Sequence, residues 1–169
     1  MIELFCVASG FVLRAIAGGV AAGIFISSWF LFSIGMLSLF LAVEKRKAEI
    51  FTLRDGKTIT RKVLKSYSIA LLNKFESLLT SSVLITYSLW AYGPSVGGSN
   101  SKYMIMTIPL VVLGIFRYQM LSDFYENRNE NHLKTNILET PENILLTDKP
   151  IQIIVSSWLA MTIYIGFFT

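Results

Sequence analysis

The densest group of side chains able to do chemistry is Glu44-Lys45-Arg46-Lys47-Ala48-Glu49, at the end of a long apolar run. On a helix, Lys45 and Glu49 are four residues apart and share a face, with Arg46 beside them. Cations and a carboxylate placed this way can hold a diphosphate together with its divalent cation. The cations take phosphate oxygens and the carboxylate takes the metal. The same residues also make a plain positive-inside anchor where a membrane helix ends, and spacing alone leaves both readings open. Arg14 and Arg117 stand inside other apolar runs. A charge at membrane depth costs several kcal/mol unless it meets a partner or a polar cavity. Few carboxylates lie near them in the sequence. They point either to a water-filled interior that receives an anion or to structural locks on Glu side chains and backbone carbonyls. Tyr67 follows Lys65 and Ser66 at the start of one run, and Tyr118 neighbours Arg117 near the end of another. Both positions also suit the interfacial tyrosine belt.

Other chemistries lack support. The single cysteine, Cys6, lies in an apolar run and excludes a disulfide framework or a multi-cysteine metal site. The one histidine, His132, falls in a polar loop. No GxSxG, Walker, HExxH or GxGxxG pattern occurs, which removes the motif-level case for serine chemistry, nucleotide hydrolysis and zinc peptidase chemistry.

The elements that must position these residues are membrane helices. The 169 residues are 53% hydrophobic and 15% charged, too few charges to cover a soluble surface, where about 25% is usual. Five runs are long enough to span: about Ile2 to Gly23, Ile26 to Val43, Tyr67 to Tyr92, Tyr103 to Leu121, and Ile151 to Phe168. The fold class is therefore all-α, a polytopic membrane bundle of about five helices forming one domain over residues 1–169. Pro109 predicts a kink in the fourth helix. Gly19 and Gly23 fit a small-xxx-small contact that lets helix backbones approach. The first run opens with Glu3 rather than a basic segment and has no obvious cleavage site, so it does not read as a signal peptide.

Loop charge sets the orientation. Residues 44–66 carry Lys45, Arg46, Lys47, Arg54, Lys57, Arg61, Lys62 and Lys65 against Glu44, Glu49 and Asp55. The loop around 93–102 is rich in Gly and Ser instead. The positive-inside rule then makes 44–66 a basic cytoplasmic loop and 122–149 a second one, with the active face cytoplasmic. Arg54-Asp55-Gly56 reads as a turn between two short helical pieces. The net charge of +4 is explained by these clusters, not by nucleic acid.

Gly10-Phe11-Val12-Leu13-Arg14-Ala15-Ile16-Ala17-Gly18-Gly19, Lys45-Arg46-Lys47-Ala48-Glu49, Phe116-Arg117-Tyr118 and Thr140-Pro141-Glu142-Asn143-Ile144-Leu145-Leu146-Thr147-Asp148 occur in that order. Together they resemble the UbiA-type membrane prenyltransferase superfamily, and within it the decaprenyl-phosphate phosphoribosyltransferase branch, over nearly the whole chain. The resemblance implies a helical bundle in a bacterial plasma membrane with a central cavity open to the cytoplasm. It implies transfer of phosphoribosyl from phosphoribosyl diphosphate to a polyprenyl phosphate, with Mg2+ as cofactor and a product used in cell-envelope biosynthesis. Lys45, Arg46 and Glu49 would then be catalytic, standing where the superfamily's second acidic motif lies, with Glu49 a metal ligand. Arg14, Tyr67, Arg117 and Tyr118 would bind substrate.

This sequence departs from the family in one respect. The first Asp-rich motif, of the Asn-Asp-x-x-Asp kind, is not in it. The five helices resemble the last five of a nine-helix bundle, so the expectation is a C-terminal part, inactive without a missing N-terminal half. Two alternatives stay open: a prenyltransferase of the same fold with an aromatic or quinone-precursor acceptor, and a non-catalytic membrane subunit or transporter component.

Overall fold

The computed structural model describes residues 2–24, 26–54, 68–93, 97–130 and 145–168. Five helices long and apolar enough to cross a membrane account for most of them: α1 (Ile2–Ala22), α2 (Ser28–Arg54), α3 (Ile69–Ala91), α4 (Ile108–Glu130) and α5 (Lys149–Phe168). The described residues contain no strand. At about 1.5 Å per residue, the 21 residues of α1 cover about 30 Å, the thickness of a bilayer's hydrocarbon core. The chain is thus an integral membrane protein of the all-α class.

The elements differ from the sequence expectation at their ends, each for a local reason. α2 does not stop at Val43 but runs on through the charged stretch to Arg54. Glu, Lys, Arg and Ala are good helix formers, and an i,i+3 pair between Arg46 and Glu49 supports the continuation. The first part of the expected 44–66 loop is therefore helical, while the turn expected at Arg54–Gly56 and the remainder of that loop extend outside the described residues. Pro109 is the second residue of α4, after a 3₁₀ turn over Lys102–Thr107, so it begins a helix instead of kinking one. A first-turn proline loses no intrahelical hydrogen bond, because its missing N–H would have had no partner there. Among the described residues, Gly19 and Gly23 form no helix–helix contact. Gly23 has φ +64° and closes α1, with Ile24 N–H donating back to Gly19 O at 3.0 Å, and the side chain of Ile26 covers Gly19.

α2 packs against both α1 and α3, α4 packs against α5, and the 3₁₀ turn bridges α3, α4 and α5. One core cluster joins four helices through Phe40, Val83, Ile115, Tyr118 and Ile151. A second, of Leu4, Ala42, Val43 and Leu72, fastens α1, α2 and α3 near the charged end of α2. At the opposite end Tyr87 Oη lies 2.6 Å from Thr107 Oγ1 and accepts from Trp158 Nε1 at 2.7 Å, joining α3, the 3₁₀ turn and α5. Large apolar side chains such as Leu13, Val20, Leu78, Ile85 and Phe167 remain exposed, as lipid-facing positions require.

Candidate functional site

The polar side chains converge where α2 carries its charged stretch. α2 brings Glu44, Arg46 and Lys47 there, α3 brings Glu76 and Thr80, and α4 brings Gln119 and Ser122. Lys47 is 2% exposed; its Nζ donates to Glu76 Oε2 at 2.5 Å and stands 3.8 Å from Glu44 Oε1. Gln119 Nε2 donates to Glu76 Oε1 at 3.2 Å and to Thr80 Oγ1 at 2.9 Å. Ser122 Oγ donates to Glu44 Oε2 at 2.7 Å. Buried ions persist only where such partners satisfy them, and here the partners come from three helices. Arg46 points the other way along the same helix end. Its guanidinium pairs with Glu3, at the start of α1, and with Glu49, one turn further along α2.

A second charged link lies between α4 and α5. Arg117 Nε and Nη2 donate to Asp148 Oδ2 and Oδ1 at 3.2 and 3.1 Å, a forked pair that fixes geometry as well as charge. Asp148 Oδ2 also accepts from Ile151 N–H at 3.1 Å and so caps α5. The Arg117 hydrogen bonds hold the Asp148 carboxyl below the usual carboxylate range, and the backbone N–H of Ile151 adds to this.

The structure sorts the expected site residues. Arg46 and Glu49 are brought together. Lys45 adjoins them in sequence but is exposed, so it does not join their ion pair. Arg117 has the carboxylate partner that sequence distance concealed, and keeps about a third of its side chain accessible (32%). Tyr118 packs into the core: it is 4% exposed and its ring meets Phe40 edge-on at 5.6 Å. Arg14 is exposed on α1, over the Phe11 ring at 5.5 Å, and about 16 Å along the helix from Glu3. It does not join the charged group. Tyr67 lies outside the described residues.

Sequence reasoning gave no individual site role to Glu3, Lys47, Glu76, Gln119 or Asp148. A usable signal existed. Glu3 and Arg46 lie nearly equally far from the turn joining α1 and α2, and Glu76 and Gln119 nearly equally far from the Gly/Ser-rich turn between α3 and α4. Antiparallel helices of equal rise bring such positions level.

Among the described residues no three His, Cys, Asp or Glu side chains gather as a metal cage. Glu3 and Glu49, both on Arg46, would suit an ion that takes one or two carboxylates and completes its shell from phosphate and water. A separate cavity of about 310 Å³ opens at the opposite end, lined by Ser27, Phe30, Trp90, Ser99 and Met104 among others. No charged side chain lines it, so it does not suit a diphosphate.

No family model matches the chain. It is 34% identical over 170 residues to a decaprenyl-phosphate phosphoribosyltransferase of Corynebacterium glutamicum, covering 98% of the chain and 48% of that protein. Proteins of the same name from Mycobacterium tuberculosis and Mycolicibacterium smegmatis are each 32% identical, over 95% and 94% of the chain and 49% of their own lengths. The chain thus spans about half the length of the curated relatives it matches.

Proposed function

From a chain homologous to the decaprenyl-phosphate phosphoribosyltransferases over about half their length, we propose the C-terminal part of a membrane enzyme that moves phosphoribosyl from phosphoribosyl diphosphate to a polyprenyl phosphate. The observation that carries this reading is a similarity that covers 98% of the chain at 34% identity. The geometry is compatible with it. An arginine held between two carboxylates, with an exposed lysine beside it, offers donors that phosphate oxygens can take in place of a carboxylate. The basic charge between 44 and 65 favours a cytoplasmic position for this end, in a bacterial plasma membrane.

In the proposed reaction an oxygen of the lipid phosphate attacks the anomeric carbon of the ribose as the bond from that carbon to the diphosphate breaks. Lys45 and Arg46 donate to the phosphate oxygens on which negative charge collects. Glu49, with Glu3, orients the Arg46 guanidinium. Arg117 would hold a second phosphate by giving up one of its bonds to Asp148, and Tyr67 would also bind substrate. Magnesium, when bound to the donor's diphosphate with Glu49 as a protein ligand, would supply charge neutralisation to the leaving group. The product would serve cell-envelope biosynthesis.

No Asn-Asp-x-x-Asp stretch occurs in this sequence, and we expect turnover only when a complementary N-terminal half is present. The test is phosphoribosyl transfer by membranes holding this chain, given Mg2+, labelled phosphoribosyl diphosphate and a polyprenyl phosphate. It is run with and without the other half of a relative supplied as a separate chain. Product in the combined sample alone is the expected result; no product in either would remove the transferase reading.

A further inference from the structure

The proposed reaction draws on Lys45 and Arg46 but gives no part to the buried cation beside them. Lys47 Nζ donates to Glu76 of α3 at 2.5 Å, and both side chains are closed off from water. Glu76 is itself held from α4: Gln119 Nε2 donates to its Oε1 at 3.2 Å and to Thr80 Oγ1 at 2.9 Å. Neighbouring side chains leave a helix axis roughly 100° apart, so whatever fixes the direction of Lys47 also fixes that of Arg46 and Lys45. Arg46 has its own hold on Glu3 and Glu49, but those side chains are 35% and 24% exposed, where water weakens an ion pair. Glu49 lies on the same helix as Arg46 and turns with it, so it cannot set the rotation of that helix.

We propose that Lys47 is a positioning residue: through Glu76 it sets the rotation of the charged turns of α2 and so places the Arg46 guanidinium where it meets the donor's diphosphate. The inference rests on the reading that this end binds that diphosphate, and its test separates the two. An apolar side chain in place of Lys47 would pack the three helices together without burying a charge. What the ion pair adds is direction, because Nζ reaches Glu76 in one setting of the helix, whereas apolar surfaces tolerate several. The hold runs from Gln119 on α4 to Glu76 on α3, across to Lys47, and along one residue of α2 to Arg46.

The experiment uses the full chain in detergent micelles, titrated calorimetrically with inorganic diphosphate and Mg2+. The main variant is Lys47→Met/Glu44→Gln/Glu76→Leu. It removes one positive and two negative charges, so the field alone would tighten the binding of an anion. Loss of positioning would weaken it. The variant should unfold in SDS no earlier than the parent, since apolar replacement of a buried ionic group is often neutral or stabilising. It should nevertheless bind diphosphate about tenfold more weakly, the scale of one hydrogen bond to a charged group. The guanidinium signal of Arg46 in 15N NMR, assigned by its loss in Arg46→Lys, should move without ligand. That of Arg117, held by Asp148, should stay in place. Gln119→Leu changes no charge and should shift binding and the Arg46 signal in the same directions, to a smaller degree. Binding by the triple variant equal to or tighter than the parent's, or an unmoved Arg46 signal, would overturn the proposal. If the triple variant unfolds early, Gln119→Leu decides, and parental binding with a parental Arg46 signal there would overturn it. A parent that binds no diphosphate while the Arg46 signal still moves would keep Lys47 as the residue that positions Arg46 and remove the diphosphate reading.

Discussion

Replacing Lys47 by Met keeps most of the side chain's apolar stem and removes its charge. In the native protein Lys47 lies between Glu76 and Glu44 with 2% of its surface exposed. The substitution leaves two buried carboxylates, which Gln119 and Ser122 continue to serve as hydrogen-bond donors but which lose this cation. Removing one partner of a buried pair costs about 3–5 kcal/mol, most of it the penalty of the ion left behind. Glu76→Gln in the same background removes one of those charges while keeping an acceptor for Gln119. The double variant should therefore recover about 1–3 kcal/mol of the loss, the usual range of coupling between contacting residues. Unfolding of the detergent-solubilised chain by SDS, followed through Trp29, Trp90 and Trp158, measures both quantities. A single variant within about 1 kcal/mol of the parent, or a double variant no better than the single, would show that the buried triad does not hold the helix ends.

Further outcomes follow from the same geometry. In the enzyme completed by its other half, Arg46→Ala or Glu49→Ala should lower phosphoribosyl transfer at least about 100-fold, the scale of losing a transition-state charge contact; both variants should still resist carbonate extraction from membranes. Asp148 titrates below its ordinary value because Arg117 and Ile151 N–H stabilise its charged form. Its contribution is therefore fully present above the unfolded carboxyl value of 3.8 and is lost as pH falls through the lower folded value. Acid unfolding of Asp148→Asn should lack that step. Tyr87→Phe should cost about 1–3 kcal/mol by stranding Trp158 N–H, and should shift Trp158 emission.

The helices were legible because the bilayer imposes one length on every span and the apolar runs meet it. Their ends were not, because charged helix formers such as Lys45 to Glu49 carry α2 beyond the apolar boundary that hydropathy detects. Pro109 misled for a similar reason: its effect depends on its position within the helix, which a preceding 3₁₀ turn decides. In the site, spacing within one helix put Lys45 and Glu49 on one face with Arg46 beside them, whereas the structure pairs Glu49 with Arg46. Lys47–Glu76 and Arg117–Asp148 could not be read from spacing, since each pair is made by helices whose mutual level is a tertiary property. The charge cluster did not reveal which of its adjacent cations turns inward. Arg46 and Lys47 differ by one residue and serve opposite neighbours.

α1 is fastened chiefly to α2, by a narrow apolar seam and by the hold of Glu3 on Arg46. Pulled from its N-terminus in a lipid membrane, the isolated chain should release α1 first, as a small event of its own, before the helices that share the four-helix core.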